Sequence, residues 1–94
     1  EENITSFMAF WRLDFDPDGE EEFKDIDRSV RQRIINKLDW LVKNFTSIKP
    51  SSLTGEYSDF FKLRVGKWRI FYKVYWKDSL IRVYYIDNRD KAYK

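Results

Sequence analysis

The chain contains no cysteine and no histidine. Without cysteine there is no disulfide, no thiolate nucleophile and no Cys-based zinc or iron–sulfur centre. Without histidine there is no His-dependent catalytic triad, no imidazole base and little means of building a zinc site. No run of 18 apolar residues occurs, so no segment reads as a membrane-spanning helix. A basic-then-apolar signal sequence is lacking as well. Any chemistry has to come from Lys, Arg, Tyr, Ser, Thr and carboxylates.

What is present is 94 residues, enough for one domain. Hydrophobic residues make up 43% and charged residues 36%, a balance typical of neither a disordered tail nor a membrane protein. Aromatics are plentiful, with four Trp, six Tyr and eight Phe. A chain this short buries only roughly 60–65% of its unfolded surface, so large rings are an efficient way to fill its core. Met8 is the single methionine and makes a sensible initiator. Residues 1–7 then read as an upstream extension or added remnant, and residues 8–94 as one domain.

The net charge of +2 conceals a steep division. Residues 1–59 carry 8 Lys/Arg against 13 Asp/Glu, a net of −5. Residues 60–94 carry 10 Lys/Arg against 3 Asp, a net of +7. Two readings fit: a surface that faces a polyanion, or a solvated strand face whose cations resist edge-to-edge pairing.

Residues 10–15 alternate imperfectly and read as a strand. Asp16-Pro17 is an N-cap with proline at the first helical position, and Glu20, Glu21 and Glu22 sit near the positive end of the helix dipole. This predicts a short helix ending near Asp27. A second helix starts near Asp27 or Ser29, where Val30, Ile34, Leu38, Leu41, Val42 and Phe45 trace one apolar stripe. Residues 47–52, including Pro50, break it. The period then changes to two. Residues 60–65, 68–76 and 80–86 read as three strands, the first two joined by a tight Gly66-Lys67 turn and the last two by residues 77–79. The order β-α-α-β-β-β predicts an α+β domain, a helical hairpin packed on a small antiparallel sheet. The stripe Trp68, Ile70, Tyr72 belongs to its core.

Alternation puts Lys62 and Arg64 on one strand face and Arg69 on one face of the next, with Lys67 at the turn between them. Clustered cations favour the neutral amine of a lysine, so Lys62 is a candidate general base. An arginine such as Arg69 can neutralise a phosphorane-like transition state through forked hydrogen bonds, and a tyrosine can stack on a base. Such parts can cut RNA through its own 2′-hydroxyl. Plain nucleic-acid binding is the simpler reading. Arg69 can equally form a surface ion pair, Lys62 can be a solvated strand lysine, and Tyr93 can merely dock on the core. Asp87 and Asp90 lack the further convergent ligands that a metal needs, and the reading calls for no cofactor.

The residues 61–72 (Phe-Lys-Leu-Arg-Val-Gly-Lys-Trp-Arg-Ile-Phe-Tyr), with Leu53-Thr54-Gly55, the opening at residues 8–15 and the ending Asn88-Arg89-Asp90-Lys91-Ala92-Tyr93-Lys94, resemble the RelE/ParE superfamily of bacterial toxin–antitoxin toxins. The resemblance implies a cytoplasmic ribonuclease that cuts mRNA in the ribosomal A site. By position, Lys62 resembles the family's lysine base, Arg69 its phosphate-stabilising arginine, Arg89 its general acid and Tyr93 its base-stacking tyrosine. Arg64, Lys67, Lys73 and Lys91 would hold RNA. Phe60 stands where some relatives carry a second lysine, and Asn88 precedes Arg89 where many carry His. The resemblance also implies a cognate antitoxin partner, the ribosome and mRNA as targets, and DNA contact only through the antitoxin. ParE-like gyrase poisons share the 61–72 segment, so a gyrase inhibitor or an inactive antitoxin-binding homologue are the rival expectations.

Overall fold

A computed structural model describes residues 11–47, 51–52 and 59–88. Strand β1 (Arg12–Phe15) leads to helix α1 (Pro17–Lys24) and helix α2 (Arg28–Asn44), which ends in a 3-10 turn (Phe45–Ser47). The short strand β2 (Ser51–Ser52), β3 (Phe61–Val65) and β4 (Trp68–Tyr75) follow. A second 3-10 turn (Trp76–Asp78) leads to β5 (Leu80–Asn88). Residues 1–7 lie outside the described residues. No helix among the described residues is long and apolar enough to cross a membrane.

The helix starts follow from local chemistry. The Asp16 carboxylate accepts from the Asp18 N–H at 3.1 Å, and Pro17 takes the first helical position. Asp27 caps α2, accepting from the Ser29 N–H at 3.1 Å and from its hydroxyl at 2.6 Å. Those two hydrogen bonds hold the Asp27 carboxyl below its ordinary value. Along α2 the apolar stripe buries Ile34, Leu38 and Leu41, and Phe45 continues it into the 3-10 turn. Facing them are Val65, Ile70, Tyr72, Ile81, Val83 and Ile86 from one side of the sheet. Burial pushes the Tyr72 hydroxyl up to about 12. Trp11, Phe45 and Trp76 close one end of the core, with ring centroids 4.7 to 5.8 Å apart. Trp76 therefore opens the 3-10 turn and does not finish β4 as the alternation suggested.

The sheet order is β1-β5-β4-β3-β2. The expected α+β architecture is present, but the sheet is mixed: β1 runs parallel to β5, while the remaining pairs are antiparallel. The physical reason is connectivity. The chain leaves β1 through two helices, so no tight turn fixes its direction, and period-2 alternation is the same in either direction. The Gly66-Lys67 hairpin forms as read, with Gly66 at φ +59° and Val65 paired to Trp68. A positive φ at the first turn residue matches the right-handed twist of the flanking strands and favours glycine there.

Helix α1 has only 8 residues, too short to persist alone. It is held against β5, beyond the end of β1. The Asp16 N–H donates to the Val83 carbonyl at 2.8 Å, and the Ile86 N–H donates to Glu22 Oε1 at 2.7 Å. Gly19 lets the helix come this close: a Cβ there would stand 2.7 Å from the Val83 carbonyl oxygen.

Candidate functional site

The sheet face opposite the helices carries the charge. On β3, Lys62 pairs across from Phe71, and Arg64 lies directly opposite Arg69 on β4. Cross-strand neighbours of this kind stand about 5 Å apart at Cβ, so like charges there raise one another's electrostatic cost. Arg69 is the one that finds relief. Its Nε and Nη2 donate to the two carboxylate oxygens of Asp87 on β5, at 2.9 and 3.1 Å. The surface ion pair weighed for Arg69 is thus what forms. Its side chain is 22% exposed and that of Asp87 44%. Two Nη1 protons and one on Nη2 remain free of Asp87, so the guanidinium can still donate to an anion.

A second arginine of this face, Arg82, is held in the same way. Its Nε and Nη2 donate to Asp14 of β1 at 2.8 and 3.1 Å, and its guanidinium lies 5.2 Å from the Tyr75 ring centre. The hydrogen bonds that Arg82 donates to Asp14, with a further one to the Tyr84 oxygen, raise its pKa above its already high ordinary value. Lys62, Arg64 and Lys73 pair with no carboxylate among the described residues. The face therefore offers, among the described residues, three cations without a carboxylate partner on neighbouring strands, beside an arginine whose orientation is fixed.

Aromatic side chains interleave with these charges. The Lys73 ammonium sits 4.8 Å from the Phe60 ring centre and 5.2 Å from that of Tyr84. Tyr75 and Tyr84 share a short hydroxyl–hydroxyl hydrogen bond, which raises the Tyr75 pKa. Sequence reasoning passed over Tyr84 and Tyr85, because regular alternation sends adjacent residues to opposite faces. It also left Asp87 as an orphan acid instead of the partner of Arg69. The +7 balance of the second half was the available signal that its few acids are engaged. Arg89, Lys91 and Tyr93 lie outside the described residues. Lys67 stands at the exposed hairpin turn, at the edge of the cluster.

A family model described as the ParE toxin of type II toxin–antitoxin systems matches residues 13–93. The chain belongs to this family of toxins, within the RelE/ParE superfamily. Solved structures agree on the fold. A chain of the RelBE toxin–antitoxin complex of Mycobacterium tuberculosis superimposes with a TM-score of 0.76 at 14% identity, covering 87% of this chain and 94% of that one. The isolated RelE toxin of E. coli gives 0.71 at 22% identity, covering 83% of each chain. An arginine-substituted E. coli RelE in complex with a RelB peptide gives 0.68 at 26% identity, covering 92% of both chains. No curated protein matches this chain. The toxin thus carries a ParE family model on a fold whose solved relatives include several RelE toxins.

Proposed function

We propose that this toxin is a ribosome-dependent endoribonuclease that cuts mRNA in the A site. The observation that carries the reading is the open sheet face on which Lys62, Arg64 and Arg69 lie on adjacent strands with one orientation. In the proposed reaction Lys62 is the base that takes the proton from a 2′-hydroxyl. The 2′ oxygen bonds to the adjacent phosphorus and the bond to the 5′ oxygen breaks, leaving a 2′,3′-cyclic phosphate and a 5′-hydroxyl end. Arg69 donates to the non-bridging oxygens as negative charge builds on them. Asp87 keeps its guanidinium in one orientation, so little freedom is lost when the phosphate arrives. Arg89 would protonate the leaving 5′ oxygen and Tyr93 would stack on an mRNA base. Arg64, Lys67, Lys73 and Lys91 would contact the RNA backbone.

The antitoxin is the second proposed partner. The relatives in complex with RelB antitoxins support it. So does the exterior of α2, where Ile35 and Trp40 are exposed and Lys37 lies 4.3 Å from the Trp40 ring centre. A bacterial cytoplasmic location follows from a ribosomal target.

The match to a ParE model favours one rival, a gyrase-inhibiting toxin without nuclease activity. Adding the protein to a translating extract and mapping mRNA ends by primer extension separates the two. Codon-phased cuts are expected. Intact mRNA together with trapped gyrase–DNA cleavage complexes would overturn the proposal in favour of the rival.

A further inference from the structure

The register shift in β5 creates a feature that the proposed reaction does not use. Phe71 pairs with Tyr85 while the next residue, Tyr72, pairs with Val83, so Tyr84 is an additional residue in the strand. A bulge of this kind interrupts the alternation of side chains. Here both tyrosines reach one partner: the Phe60 ring lies 5.6 Å from Tyr84, edge-on, and 5.7 Å from Tyr85. The three rings form a connected cluster, with Tyr84 and Tyr85 6.5 Å apart. None of the three belongs to the hydrophobic core.

Two members are fixed and one is open. Tyr84 is held through its hydroxyl by Tyr75, and the Lys73 ammonium lies over both Phe60 and Tyr84. Tyr85 is 44% exposed. A rigid aromatic backing with one accessible ring gives a flat surface at little entropic cost. Its setting decides what such a surface suits. Lys62 and Arg64 lie on β3 next to Phe60, and Lys73 stands over the rings. No described carboxylate neutralises any of them, and Asp59, which lines a shallow cleft with Lys73, forms no ion pair with it. A partner that is both polyanionic and rich in exposed flat rings matches this alternation. Single-stranded nucleic acid has that chemistry, whereas a duplex hides its ring faces in its own stack.

We propose that Phe60, Tyr84 and Tyr85, backed by Lys73, form a base-stacking subsite for single-stranded RNA alongside Lys62 and Arg64. The choice of RNA as the polymer rests on the function proposed above.

The test measures fluorescence anisotropy with two labelled hexamers of equal charge, a 2′-O-methyl RNA that cannot be cleaved and its abasic counterpart. The wild-type protein should bind the intact strand about tenfold more tightly, the size expected of one stacked base. Tyr85→Phe should keep that ratio, and Tyr85→Ala and Tyr85→Leu should bring it close to one. Arg64→Ala should weaken both strands alike. Circular dichroism melts establish that each variant is folded. Equal binding of the two strands by wild-type protein would overturn the subsite, as would retention of the ratio by Tyr85→Leu or failure to bind the intact strand. Tyr85-dependent binding of an acidic peptide, with RNA binding indifferent to Tyr85, would overturn it in favour of a protein partner. Discrimination between the strands with uncut mRNA in the extract would sink the nuclease reading and leave the subsite standing. Cut mRNA without discrimination would do the reverse.

Discussion

Replacing Gly19 by alanine tests the packing that supports this face, because local propensity and tertiary contact predict opposite signs. In a solvated helix the change gains about 1 kcal/mol. Here the added Cβ would sit 2.7 Å from the Val83 carbonyl oxygen and 3.1 Å from that of Tyr84, both backbone atoms of a central strand. Restoring an ordinary contact of about 3.4 Å requires α1 to retreat by roughly 0.7 Å. The same retreat stretches the 2.7 Å bond from the Ile86 N–H to Glu22 and the 2.8 Å bond from the Asp16 N–H to Val83 toward the limit of hydrogen bonding. Losing a neutral bond costs about 1 kcal/mol and one to a carboxylate about 2 kcal/mol. Against the propensity gain, the net destabilisation is about 2 kcal/mol. For a domain of this size that lowers Tm by roughly 10 °C, measurable by circular dichroism alongside an exposed helix control, Glu21→Ala, which should move it little. A Gly19→Ala protein as stable as wild type would refute the reasoning, since it would mean that α1 slides without cost. Because the added Cβ meets the carbonyls of Val83 and of Tyr84, the bulged residue itself, the variant should also weaken base-dependent RNA binding.

Other outcomes follow from single contacts. Arg69→Ala, and Arg69→Lys which loses the two-pronged pairing, should each relieve growth arrest in a bacterial host while lowering stability by only about 1 kcal/mol; full toxicity from either folded variant would remove Arg69 from the site. Asp87→Asn, whose Oδ1 can still accept from Arg69 Nε and so keep its orientation, should tighten binding of the uncleavable RNA several-fold at low salt, because a carboxylate some 7 Å from a bound phosphate costs it about 1 kcal/mol at an effective dielectric near 40; the gain should fade by 1 M salt, where the Debye length is about 3 Å, and a gain that persists unchanged at 1 M salt would contradict it. Tyr72, neutral in the fold up to about 12 against an ordinary 10, contributes stability that is intact below pH 10 and lost as pH rises from 10 toward 12; urea midpoints across that range should fall more steeply for wild type than for Tyr72→Phe. Asp27→Ala should lower Tm at neutral pH by removing the α2 cap, and because the folded carboxyl lies below 3.8, the gap from wild type should close as pH drops through that region; a gap unchanged at pH 2 would exclude the cap as its origin.

The features legible in the sequence are those set by neighbours along the chain. Asp16-Pro17 and Asp27 announced both helix starts because a cap is a contact over two or three residues. The stripe from Ile34 to Phe45 was visible because helical periodicity depends only on spacing. Gly66-Lys67 marked its hairpin because one glycine meets the turn's demand for a positive φ. The illegible features depend on residues far apart in sequence. The direction of β1 is settled by its docking on β5, 68 positions away at the Asp14–Arg82 pair. The bulge at Tyr84 has no local signature, since Tyr-Tyr alternates as well as any pair. Asp87 could be recognised as the partner of Arg69 only once β4 and β5 were in register.

The same distinction changes how the charge is understood. Summed along the chain, the second half carries +7 and suggests a uniformly basic sheet. Folded, it has a pattern. Arg82 and Arg69 are each held sideways by an aspartate on a neighbouring strand, Asp14 and Asp87, which fixes two guanidinium planes and cancels much of their field. On this face the cations left without a described carboxylate are Lys62, Arg64 and Lys73; Lys73 lies over the Phe60 and Tyr84 rings, and Lys62 and Arg64 follow Phe60 along the neighbouring strand. A face built only to repel edge pairing needs charge but no exposed ring. A face built only to attract a polyanion gains nothing from aspartates that neutralise its arginines. Fixed arginine, free lysine and open aromatic on adjacent strands make sense together when a phosphate has to be positioned and a base held beside it.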